Sequence, residues 1–185
     1  MTATPIEPDT KDWTWVLRRP CPECGLDVAA LGREELAVRL HANAEAWLPV
    51  LERGDARERP DAITWSALEY GCHVRDVFAL FGERLTLMLT QDDPLFDSWD
   101  QDETAVASDY AGQDPAVVAV DTVAFGRMLA ARFQALDEVA WRRTGRRSDG
   151  AVFTVESFAQ YLLHDPVHHL HDVGGTAGGT GGVLE

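Results

Sequence analysis

The stretch Thr154-Val-Glu-Ser-Phe-Ala-Gln-Tyr-Leu-Leu-His-Asp-Pro-Val-His-His-Leu-His-Asp-Val173 decides the fold. Val155, Ala159, Leu162, Leu163, Val167, Leu170 and Val173 recur at three- and four-residue spacing, which predicts an amphipathic helix. Thr154 is suited to cap its start. Pro166 removes one backbone hydrogen bond, to Leu162, and is expected to kink it. His164, His168 and His171 fall together on a second face, with Ser157, Gln160 and Tyr161. That face carries no Lys, Arg, Asp or Glu. In a chain with 25% charged residues, an uncharged polar face points to a cavity rather than to open water.

Working outward, three further segments have helical periodicity. Residues Arg33–Arg53 repeat Leu36, Leu40, Ala44, Trp47, Leu48 and Leu51, and Gly54 ends them. Residues Trp65–Gln91 carry the stripe Tyr70, Val74, Val77, Phe78, Phe81, Leu85 and Met88. Residues Pro115–Val139 place Pro115 in a first turn, where a missing N–H costs nothing. Their apolar face is Val118, Val123, Phe125, Leu129, Phe133 and Leu136. No segment alternates as a strand would. The expectation is an all-α four-helix bundle over residues 33–173. Before it lies an arm, residues 1–32, flexible to Asp12 and then an irregular Trp- and Cys-containing segment packed on the body. After it, residues 174–185 form a Gly-rich tail expected to be disordered. The acidic connector Asp92–Asp114 is long enough for a bundle crossover, and Phe96 and Trp99 predict that it is ordered.

The 185 residues fit one domain. The net charge of −15, from 31 acids against 16 bases, argues against nonspecific nucleic-acid binding and against anionic membranes. No apolar run is long enough to span a bilayer, and the first residues do not read as a signal peptide. A cytoplasmic protein with reduced thiols is expected. All bases but Lys11 are Arg, the imprint of a GC-rich bacterial genome. Four of the six His lie within eight residues, at 164, 168, 169 and 171.

His164 and His168 stand one helical turn apart, so both imidazoles can reach one ion without backbone strain. A third ligand must come from another helix, and His73, among Tyr70, Val77 and Phe81, is the best candidate. Three His leave positions open for water or substrate, as catalytic sites do. The competing reading makes His73 a hydrogen-bonded packing residue and the C-terminal His a complement to the helix dipole. His169 and His171 read as flanking or surface residues, and His41 as a surface residue. The zinc-protease helix motif shares the spacing but needs Glu after the first His, where this chain has Asp165 and then Pro166.

A His in helix two and a His-x-x-x-His pair in the last helix of a four-helix bundle resemble the DinB/YfiT-like superfamily. The segments Trp65-Ser-Ala-Leu-Glu-Tyr-Gly-Cys-His73 and Tyr161-Leu-Leu-His164-Asp-Pro-Val-His168-His carry the resemblance, which covers about residues 33–173. It implies a divalent metal, Zn²⁺ or Ni²⁺, held by His73, His164 and His168. It also implies a transferase that activates a low-molecular-weight thiol for attack on an electrophilic small molecule. The GC-rich imprint makes mycothiol the expected thiol. A homodimer is implied as well. The alternatives are a thiol-dependent isomerase on the same site, or a non-enzymatic metal-binding stress-response protein. The isomerase branch has Glu where this chain has His164, which favours the transferase.

Four residues are candidates for substrate contact: Tyr161, Trp99, Asp100 and Arg146. Cys21-Pro-Glu-Cys24 has metal or redox spacing. A structural zinc needs two more ligands, and only Cys72 remains as a thiol. We therefore read Cys21 and Cys24 as reduced thiols in a turn, with a regulatory disulfide as the alternative.

Overall fold

The four periodic segments form four long helices, each with an identifiable start. In this computed structural model, which describes residues 12–176, they are α1 (Arg33–Leu51), α2 (Ala67–Thr90), α4 (Pro115–Gln134) and α6 (Val155–Asp172). The expected flexible arm and disordered tail lie outside the described residues, apart from Asp12 and residues 174–176. The Ser66 side chain accepts from Glu69 N–H and Glu69 returns a bond to Ser66 N–H, a capping box that fixes the start of α2. Thr154 and Ser157 do the same for α6, and Asp114 caps α4 ahead of Pro115. At the far end of α6, Gly174 takes φ +64, and Gly175 N–H closes onto Leu170 C=O at 2.8 Å.

The helices form a ring in the order α1, α4, α2, α6, so that α1 and α2, although consecutive, meet only weakly. The connectors therefore cross the bundle ends. The helices approach closely at Gly126 of α4, where a Cβ would lie 2.4 Å from Ala44 Cβ and 2.9 Å from a Phe78 ring carbon. Trp47, Phe78, Phe133 and Phe158 fill the centre. Asn43, fully buried on α1, donates to Pro166 C=O at 3.0 Å and ties α1 to α6 where that proline interrupts the helix ladder. No described helix is long and apolar enough to cross a membrane.

Two departures from the sequence expectation have local causes. The third long helix ends at Gln134 rather than Val139. Asp137 accepts from Ala140 N–H at 2.8 Å and starts the separate short helix α5 (Glu138–Trp141). Short strands are present: β1 (Leu95–Phe96), β2 (Thr144–Arg147) and β3 (Val152–Thr154). β2 pairs antiparallel with β3 (Gly145 opposite Phe153) and parallel with β1 (Leu95 opposite Arg146). Strands of two to four residues are too short to show alternation. The acidic connector is ordered: it holds β1, the helix α3 (Gln101–Ala107) and the buried Tyr110.

The N-terminal segment packs against α6. Asp12 caps a 3-10 turn over Trp13–Leu17, and Val16, Cys21, Leu26 and Val28 are buried.

Candidate metal centre

Successive residues on a helix point about 100° apart. Two i, i+4 pairs therefore share the same two turns of α6 on adjacent faces: His164 with His168, and Asp165 with His169. The arm covers the first pair and α2 faces the second. His73 of α2, 1% exposed, brings its Nε2 to 3.3 and 3.4 Å from the two Asp165 oxygens. His169 Nε2 lies 3.9 Å from Asp165 Oδ2. One donor atom from each of His73, Asp165 and His169 falls within 4.8 Å of the other two.

His73, His164 and His168 do not converge as the sequence expectation had it. His164 and His168 turn one helical step away from His73, toward Cys21 and Cys24, and those four residues also gather within 4.8 Å. The carboxylate-x-x-x-His pair that meets His73 was visible in the sequence one residue further on. The sequence reading makes His169 a flanking or surface residue and sets Asp165 only against the zinc-protease motif.

The His73, Asp165 and His169 set fits a divalent ion. Two ligands each bound at about 2.1 Å with tetrahedral angles stand about 3.4 Å apart. The contacts of 3.3 and 3.4 Å match that spacing and are long for hydrogen bonds. His73 Nδ1 and Asp165 Oδ1 are buried without a hydrogen bond. His169 Nδ1 is 3.1 Å from Asp172 Oδ2, which orients the ring and keeps Nε2 toward Asp165. Burial opposes ionisation of Asp165, but His73 and His169 outweigh it and pull the carboxyl down to about 2. The ring of His73 stacks on Trp99 at 5.4 Å and packs on Trp65 at 5.6 Å, and that of His169 packs on Tyr70 at 4.8 Å. These aromatics fix both rings without using their nitrogens.

The group opens into a cavity of about 460 Å³ whose wall includes Trp13, Tyr70, Gln101 and Tyr161. Tyr161 accepts from Arg147 Nη1 at 3.2 Å, so its own hydroxyl proton remains to be donated. Of the other expected contact residues, Trp99 backs His73 rather than lining the cavity. Asp100 caps α3 by accepting from Asp102 and Glu103 N–H. Arg146 is spent on Asp93, 2.8 Å away, because it points out of β2 opposite to its neighbour Arg147. Arg147 rather than Arg146 reaches Tyr161, a choice that alternation on a four-residue strand cannot settle from sequence.

Residues 36–173 match the DinB superfamily. The chain belongs to the DinB superfamily. Among solved structures, this DinB protein is similar to YfiT from Bacillus subtilis, described as a probable metal-dependent hydrolase with an unusual four-helix bundle topology. The TM-score is 0.64 and the identity 17%, over 75% of this chain and 81% of that one. No curated protein matches it. The likeness to YfiT concerns the fold.

Proposed function

We propose that this protein is a metal-dependent enzyme in which His73, Asp165 and His169 hold a divalent ion, Zn²⁺ or Ni²⁺. The ion would activate a low-molecular-weight thiol, mycothiol by expectation, for attack on an electrophilic small molecule. The observation that carries this is the convergence of the three side chains, with Asp165 Oδ1 buried and without a hydrogen bond, beside a cavity of about 460 Å³ lined by Asp165 and His169. When bound, the ion supplies Lewis acidity that lowers the pKa of a coordinated nucleophile. Three protein ligands leave room for that nucleophile. The description of YfiT as a probable metal-dependent hydrolase supports metal-centred chemistry on this fold.

The other residues have roles of their own. Asp172 holds His169 in the tautomer that offers Nε2. Trp13 and Tyr70 give the cavity aromatic walls. The Tyr161 hydroxyl, its oxygen held by Arg147, donates a proton to an acceptor atom of the electrophile. The expectation that favoured transfer over isomerisation took His164 as a ligand. With Asp165 in the ligand set, the centre contains a carboxylate, as in the isomerase branch. Thiol transfer and thiol-dependent isomerisation therefore both remain readings of one site, and both begin with the same thiol.

The test is turnover of mycothiol with monochlorobimane by metal-loaded protein. A thiol- and metal-dependent rate is expected. A rate no greater than that of the chelated protein rejects the thiol reading, and ester hydrolysis without thiol would assign the site to water as nucleophile.

A further inference from the structure

The four-residue group on the neighbouring face of α6 has a different chemistry. Cys21 Sγ lies 3.6 Å from His168 Nδ1, and one donor atom from each of Cys21, Cys24, His164 and His168 falls within 4.8 Å of the others. We propose that these four residues form a second metal centre, a closed Cys₂His₂ zinc site that fastens the N-terminal segment to α6. It is independent of the activity proposed above.

Several observations converge on it. The Cys21-Pro-Glu-Cys24-Gly25 turn is shaped to point two thiols one way. Gly25 N–H bonds to Cys21 C=O at 2.9 Å, Cys21 N–H bonds to Leu26 C=O at 2.9 Å, and Gly25 takes φ +73, a left-handed conformation that favours glycine. Opposite it, the i, i+4 imidazoles of His164 and His168 are 4% and 7% exposed. His164 Nε2 is buried without a hydrogen bond. His168 turns Nδ1 to the thiols, while its Nε2 lies 3.3 Å from Glu23 and 3.8 Å from Asp172. Carboxylates in that place fix the ring of a metal-bound histidine. Trp13 packs on both imidazoles, at 5.5 and 5.2 Å.

The donor set decides the ion and the role. Two thiols and two imidazoles select zinc, and four protein ligands complete a tetrahedron with no position for substrate. The sequence reading rejected a zinc site here by seeking two more ligands among cysteines. They are histidines, supplied from the other end of the chain. The consequence reaches the first centre. Trp13 and Glu23, carried by the fastened segment, form one wall of the cavity beside Asp165 and His169.

Cobalt substitution separates the two centres, because only this one contains sulfur. Reduced wild-type protein reconstituted with Co²⁺ should show a thiolate-to-cobalt charge-transfer band in the near ultraviolet. Cys24→Ser should lose most of the band, and His73→Ala should keep it. Wild-type protein isolated in zinc-containing buffer should hold about two metal equivalents per chain, and Cys24→Ser about one. No band in the wild type overturns the proposal, as does a band unchanged in Cys24→Ser. If Cys24→Ser fails to fold, alkylation of the wild type decides. Zinc should protect Cys21 and Cys24 at least tenfold against iodoacetamide relative to chelated protein, and equal labelling overturns the proposal. A Cys21–Cys24 disulfide persisting through lysis in reductant also overturns it.

Discussion

His169 and Asp172 stand one turn apart on α6 with Nδ1 and Oδ2 3.1 Å from each other. The carboxylate fixes the ring that faces Asp165 without itself joining the three-residue group. Asp172→Asn is therefore expected to leave the fold intact and to weaken the ion held with His73 and Asp165. Loss of such a supporting carboxylate costs about 10–100-fold in affinity. Competition against a colorimetric chelator measures it. Affinity within a factor of two of wild type would show that Asp172 orients nothing.

Tyr161→Phe removes one hydroxyl and little volume. If that proton is donated in the reaction, kcat should fall about 100-fold or more, with metal content and KM nearly unchanged. Equal loss in metal content would instead make Tyr161 a packing residue. Steady-state kinetics beside elemental analysis separates the two.

Gly126→Ala tests the helix crossing. Helix propensity alone would make alanine more stable by about 0.8–1 kcal/mol. The added methyl, however, meets Ala44 Cβ and the Phe78 ring well inside contact distance, and overpacking of this kind costs about 1–3 kcal/mol. Net destabilisation is expected, with Tm lower by about 2–4 °C per kcal/mol. Ala44→Gly in the same chain should restore part of it, since it removes the nearest clashing atom.

Glu69 gives a pH dependence. Its burial opposes ionisation, but Arg59 and the Ser66 donors outweigh that and hold its carboxyl below the ordinary value of 4.5. The folded chain thus binds this proton less readily than the unfolded chain. The contribution to stability is complete above pH 4.5 and is lost as the pH falls through the lower folded value. Glu69→Ala, which leaves Arg59 and Ser66 without this partner, should cost about 1–3 kcal/mol at neutral pH and less at pH 3. Denaturant titrations at the two pH values check the sign. An equal loss at both would show that the charge contributes nothing.

The fold was legible because each long helix repeats its apolar residues over four or more turns. Leu36, Leu40, Ala44 and Trp47 leave no other period. The short strands were not, because Leu95–Phe96 spans a single two-residue period and cannot show alternation. The site was half legible. The sequence pointed to His73 and the last helix, but α2 faces Asp165 and His169 rather than His164 and His168. His164 and His168 advertise themselves as a like pair, whereas Asp165 and His169 have the same spacing with unlike side chains. Only the position of α2 relative to α6 distinguishes them. The thiol pair failed to join its imidazoles for a related reason. Periodicity is local, and Cys21 and His168 are 147 residues apart.

The central claim is that His73, Asp165 and His169 hold the catalytic ion. Its most direct test is elemental analysis of freshly purified Asp165→Ala beside the wild type, with thiol turnover measured on the same samples. The account predicts that the variant loses about one metal equivalent per chain, keeps its helical circular dichroism, and loses turnover. A variant with wild-type metal content and wild-type turnover would contradict it.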